Sequence, residues 1–113
     1  MDSPIPAEWR QPVCRILSSC SLSGVEIRQR ARRDWQALFP GAFDSEIFDA
    51  FLKALRNPMQ TGRLVTTMAE PGTVYEFIFE HEGRQIYGKV NLLPSGQVII
   101  IYSAHRPLKG ETL

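Results

Sequence analysis

The chain has 113 residues, 43% hydrophobic and 22% charged, and carries a formal net charge of +1. That length makes one domain able to bury roughly two-thirds of its unfolded surface, and the composition excludes intrinsic disorder. So small a net charge also excludes a strong overall field drawing nucleic acid or an anionic membrane.

Residues 1–6 hold Pro4 and Pro6 and have little to bury, so a flexible arm is expected there. The opening has no basic n-region and no apolar h-region, which argues against a signal peptide. The longest unbroken apolar run, residues 98–102, falls far short of the roughly 20 residues of a membrane span. A cytoplasmic protein without a membrane partner is the expectation. Cys14 and Cys20 fit no metal-ligand spacing and read as reduced thiols.

Residues 7–20 predict a first helix, with Trp9, Val13, Ile16 and Leu17 at helical spacing. Pro12 is tolerated only in a first turn, which moves the expected start towards Gln11. Ser23 followed by Glu26 forms a capping box for a second helix. Ile27, Ala31, Trp35 and Leu38 then lie on one stripe, while Arg28, Arg30, Arg32 and Arg33 cover much of the remaining surface. Asp44 or Ser45 caps a third helix that runs to about Arg56 and buries Ile47, Phe48, Phe51, Leu52 and Leu55.

Strand signals follow. Residues 64–68 predict a first strand, and residues 74–80 alternate with Tyr75, Phe77 and Phe79 on one face. His81-Glu82-Gly83 turns the chain, and His81 is given no further role. Residues 84–93 alternate with Ile86, Val90 and Leu92 inward, leaving Tyr87, Lys89 and Asn91 on the opposite face. Pro94-Ser95-Gly96 is a second hairpin turn, and residues 97–103 are nearly continuous in β-branched side chains. The fold class is therefore α+β, with two to three N-terminal helices packed on a three- to four-stranded antiparallel β-meander. The expected layout of the single domain 1–113 is an arm at 1–6, a helical part at 7–57, the sheet at 63–103 and a basic tail at 104–113.

Candidate chemistry collects at the end of that meander. Pairing across Pro94-Ser95-Gly96 places Leu93 opposite about Gln97 and Tyr87 opposite about Ser103, with His105 just beyond. A slip of one residue would undo this alignment. Tyr87, Lys89, His105 and Arg106 form a set able to cut RNA without a metal. The imidazole exchanges protons near neutral pH, Arg and Lys stabilise charge on a phosphate, and Tyr stacks on a base. Ser103, Lys109, Arg28, Arg32 and Arg33 are candidate substrate-binding residues that follow the RNA backbone. The bland reading is a solvated tail and a solvated, ion-paired helix face. No Gly-rich phosphate loop, G-x-S-x-G elbow or paired carboxylates are present, so no cofactor or metal is expected.

The segment from Gly88-Lys89-Val90 through Ile101-Tyr102-Ser103-Ala104-His105-Arg106-Pro107 has a strand bearing Lys, then a strand ending in a small residue and basic residues. With N-terminal helices before a meander, it resembles the RelE/ParE-like toxins and the wider group of small metal-independent ribonuclease toxins that includes the colicin-type nucleases. The resemblance spans about residues 23–110. It implies a toxin-like endoribonuclease with Lys89, His105 and Arg106 in its site, RNA as substrate, possible association with the ribosome, and a cognate antitoxin or immunity protein as partner. Such toxins are usually far more basic than this chain. The alternatives are a non-catalytic protein-binding or regulatory module of the same fold and a toxin acting on a protein target.

Overall fold

The computed structural model describes residues 3–19 and 23–108. Its elements follow the order β1 (Ser3–Pro4), α1 (Ala7–Ser18), β2 (Val25–Ile27), α2 (Gln29–Leu38), α3 (Asp44–Arg56), β3 (Thr61–Val65), β4 (Thr73–His81), β5 (Arg84–Leu92) and β6 (Ile99–His105). The fold is α+β, with three helices and one sheet in the order β1-β3-β4-β5-β6-β2. Strands β3 to β6 form the expected antiparallel meander. The sheet is larger than expected and mixed: β1 extends it antiparallel to β3, and β2 closes the other side parallel to β6.

These two additions correct the sequence reading, and both arise from long-range pairing that local pattern does not carry. Ser3 and Pro4 pair with Gly62 and Thr61, and Ile5 is buried, so residues 3–5 of the expected flexible arm are docked. Val25 and Ile27 pair with Ile99 and Ile101, which takes Glu26 into a strand and dissolves the proposed capping box. Helix α2 starts only at Gln29, behind Arg28, which gives no side-chain cap. Pro12 lies inside α1, which begins at Ala7 rather than near Gln11. Strand β3 starts at Thr61, three residues before the predicted strand.

The apolar faces pack as their periodicity requires. Along β4, Tyr75, Phe77, Phe79 and His81 point to the helical layer, where Tyr75 meets Trp9 of α1, and Phe77 and Phe79 meet Phe51 of α3. His81 meets Trp35 of α2. Gly88 of β5 lies beneath the Phe51 ring, where a Cβ would come within 2.9 Å of it. The helices thus cover one face of the sheet and leave the other, here called the open face, to solvent except where residues 70–72 lie over Asn91. Glu82 and Gly83, both at positive φ, make the two-residue turn between β4 and β5, the backbone that a tight hairpin needs.

Candidate functional site on the open sheet face

The open face is built by alternation. On β5 the side chains at 87, 89 and 91 point away from the helices, as expected from sequence, and on β4 those at 74, 76, 78 and 80 do the same. Register then aligns them into rows. Arg63 of β3 stands opposite Glu76 of β4, Glu76 opposite Lys89 of β5, and Lys89 opposite Ser103 of β6. The next row runs Ile78, Tyr87, His105.

The hairpin register differs from the one predicted. The turn holds one more residue, with the Leu93 N–H donating to the Val98 carbonyl at 3.0 Å. A β-bulge follows, because Val90 pairs with Ile101 while Lys89 pairs with Ser103, which leaves Tyr102 unmatched. Together these shift the pairing by two residues, so His105 rather than Ser103 faces Tyr87. An even shift keeps the same face of the sheet, and the bulge lets Tyr102 and Ser103 both serve it.

Tyr87 is the centre of the site. Its ring stacks on His105 with centroids 5.2 Å apart and planes 13° from parallel. Its hydroxyl donates to Glu76 Oε1. The Glu76 carboxylate is also approached by Arg63 at 3.4 Å. His105 is oriented through Nδ1, which lies 2.7 Å from the Arg106 carbonyl; donation there leaves Nε2 as the acceptor nitrogen. Lys89 is half-buried and has no ion-pair partner among the described residues. The structure therefore gathers a carboxylate, an imidazole, an ammonium and a guanidinium, all partly exposed, around a buried phenol on one face of the sheet.

A second network lies on the same face towards β2. Asn91, fully buried, donates through Nδ2 to the Pro71 carbonyl and to the Tyr102 hydroxyl, each at 3.0 Å. Tyr102 donates in turn to Glu70 at 2.8 Å, and Arg28 clamps both Glu70 oxygens at 2.6 and 2.7 Å while its guanidinium lies over the Tyr102 ring. The Tyr102 hydrogen bond, followed by Arg28, holds the Glu70 carboxyl below its ordinary range. Burial pushes the Tyr102 phenol up.

Of the residues singled out from sequence, Tyr87, Lys89, Ser103 and His105 are brought together. Arg106 leaves the end of β6 exposed and lines a shallow hollow with Leu38, Arg84 and Gln85. Arg28 reaches the open face but is committed to Glu70. Arg32 is held by Asp44 through two hydrogen bonds of 2.9 and 3.0 Å, away from this face, and Arg33 is exposed on α2. Lys109 lies outside the described residues, as does Cys20. Cys14 is half-buried on α1, where burial raises its thiol pKa against the opposing pull of Arg10 and Arg56.

Sequence reasoning missed Glu76 and Arg63. The alternation of β4 carried the signal for Glu76, since a residue between Tyr75 and Phe77 must share the face of Tyr87 and Lys89. Arg63 was outside the predicted strand and had no assigned face. No described helix is long and apolar enough to cross a membrane. Comparison with protein-family models, curated proteins and solved structures finds no match to this chain.

Proposed function

We propose that the chain is a metal-independent endoribonuclease of the RelE/ParE-like toxin kind, with the open sheet face as its active site. The observation that carries this reading is the meeting of Glu76 and His105 on opposite sides of Tyr87, one through its hydroxyl and one against its ring. A carboxylate and an imidazole are a sufficient acid–base pair for transesterification of RNA. Glu76 takes the proton of a ribose 2′-hydroxyl, the 2′-oxygen forms a bond to phosphorus, and the bond from phosphorus to the 5′-oxygen breaks. Protonated His105 supplies the proton to that leaving oxygen, giving a 2′,3′-cyclic phosphate and a 5′-hydroxyl end. Lys89, directly opposite Glu76 and one row from His105, stabilises charge on the phosphate oxygens. Arg63 and Tyr87 fix the carboxylate, and Arg106 follows the RNA beyond the strand end.

A cell making such an enzyme needs it covered, which assigns a cognate antitoxin or immunity protein to the same open face. Induced expression of the wild-type chain is expected to arrest growth, and His105→Ala to relieve the arrest at equal protein level. Arrest that persists undiminished in both His105→Ala and Glu76→Gln contradicts the assignment.

One observation favours a second reading, a non-catalytic protein-binding module. Arg28 and Arg32 are neutralised by Glu70 and Asp44, and the net charge is +1, which suits a protein interface better than an RNA one. The sheet edges offer little for strand addition, because β1 and β2 have two and three residues, so such a partner would bind the open face. Protein that leaves RNA intact and growth unaffected, yet retains one partner, would establish this reading instead.

A further inference from the structure

On the helical side of the sheet, a cleft of roughly 880 Å³ runs between α3 and the end of β4. Glu46, His81 and Glu82 line one end of it. His81 Nε2 lies 3.3 Å from Glu46 Oε2 and 3.5 Å from Glu82 Oε2, and the three atoms fall within 4.8 Å of one another. From this geometry we propose that Glu46, His81 and Glu82 form a binding site for a divalent transition-metal ion of the Zn²⁺ class, open to the cleft. The proposal stands apart from the RNA-cleaving reading, which uses the opposite face of the sheet.

His81 Nε2 makes only a long hydrogen bond to Glu46, a spacing that also suits two ligands of one ion. A charge-assisted hydrogen bond between an imidazole and a carboxylate closes to about 2.7–2.9 Å, and a single Nε2–H cannot be aimed at two carboxylates together. Both separations here are longer than that. Ligands about 2.0–2.1 Å from a tetrahedral Zn²⁺ stand about 3.3–3.4 Å apart; the edge to Glu46 is 3.3 Å and that to Glu82 is slightly longer, 3.5 Å. One imidazole with two carboxylates also selects the class of ion. Nitrogen suits zinc and its neighbours, whereas Mg²⁺ and Ca²⁺ take oxygen ligands.

The imidazole is set in place before any ion arrives. Its ring packs against Trp35 with centroids 5.2 Å apart and edge-on to Phe39 at 5.1 Å, and its side chain is only 18% exposed. Glu46 comes from the first turn of α3 and Glu82 from the β4–β5 turn, so an ion joins the helical layer to the sheet. Three protein ligands leave a fourth position for water or an oxygen of a molecule in the cleft.

Calorimetric titration of the full chain with ZnCl₂ tests the site, using Glu46→Gln and Glu82→Gln because the His81 ring packs on Trp35 and Phe39. One equivalent of Zn²⁺ is expected to bind, with affinity at least tenfold weaker in each variant. Co²⁺ in its place is expected to give the intense visible bands of four-coordinate cobalt, and Mg²⁺ no saturable heat. The absence of saturable Zn²⁺ binding overturns the proposal, as does binding that both variants leave unchanged. RNA cleavage by Glu82→Gln should equal that of the wild type, so either claim can fail without the other.

Discussion

Tyr102 and its neighbours show how a single side chain on the open face depends on partners from three other segments. Asn91 orients the phenol, Glu70 accepts its hydrogen bond, and Arg28 closes over both. Burial favours the neutral phenol. A group whose folded pKa is raised lends stability that is fully present below its unfolded value of about 10 and lost as pH rises through the folded value. Glu70 has the opposite sign: its folded pKa is depressed, so its stabilisation holds above the unfolded carboxylate value and fades as pH falls through the folded one. Ultraviolet titration of tyrosinate is expected to include the Tyr102 phenol ionising above the usual value, and Tyr102→Phe to remove that step. An unchanged titration in the variant would contradict the network. At this scale the sequence was informative wherever alternation held. Tyr87, Lys89 and Asn91 follow from it directly, whereas the stack of Tyr87 on His105 depends on a bulge at Tyr102 that no local signal marks.

Among the elements, β5 is the best determined by sequence and the most sensitive to substitution. Gly88 is the small residue between Ile86 and Val90 that lets Phe51 of α3 settle on the sheet. A Cβ there would stand 2.9 Å from one Phe51 ring carbon and 3.2 Å from Phe77. Gly88→Ala is expected to destabilise the chain by about 1–3 kcal/mol through overpacking, read as a lower urea midpoint with an unchanged slope. A midpoint at or above wild type would show that the rings relax freely. The junction of α2 with α3 carries a weaker restraint, the bidentate pair of Arg32 and Asp44. Both side chains are more than one-third exposed, so a double-mutant cycle should give a coupling of about 0.2–1 kcal/mol, smaller in high salt. The capping box at Ser23 and Glu26 illustrates why helix starts are harder to read than helix faces. The same residues serve a strand once Val25 and Ile27 have Ile99 and Ile101 beside them, and that pairing spans most of the chain.

The whole molecule is a one-sided sheet, helices on one face and polar chemistry on the other. This arrangement puts the two proposed sites on opposite faces of the sheet. The core face holds His81 among aromatic rings near two glutamates, and the open face presents His105 with Tyr87, Glu76, Lys89 and Arg63. The layer order, helices before sheet, was legible because helical and strand periods change once along the chain. The outer strands were not, since two- and three-residue strands have no period to detect. The proposed cleavage of RNA on the open face by acid–base chemistry of Glu76 and His105 is checked by incubating purified chain with single-stranded RNA in excess EDTA, comparing wild type with Glu76→Gln and His105→Ala. The wild type is expected to leave 2′,3′-cyclic phosphate ends, and each variant to cleave about 10²–10⁴-fold more slowly. No cleavage by folded wild type, or equal cleavage by all three proteins, would contradict that proposal.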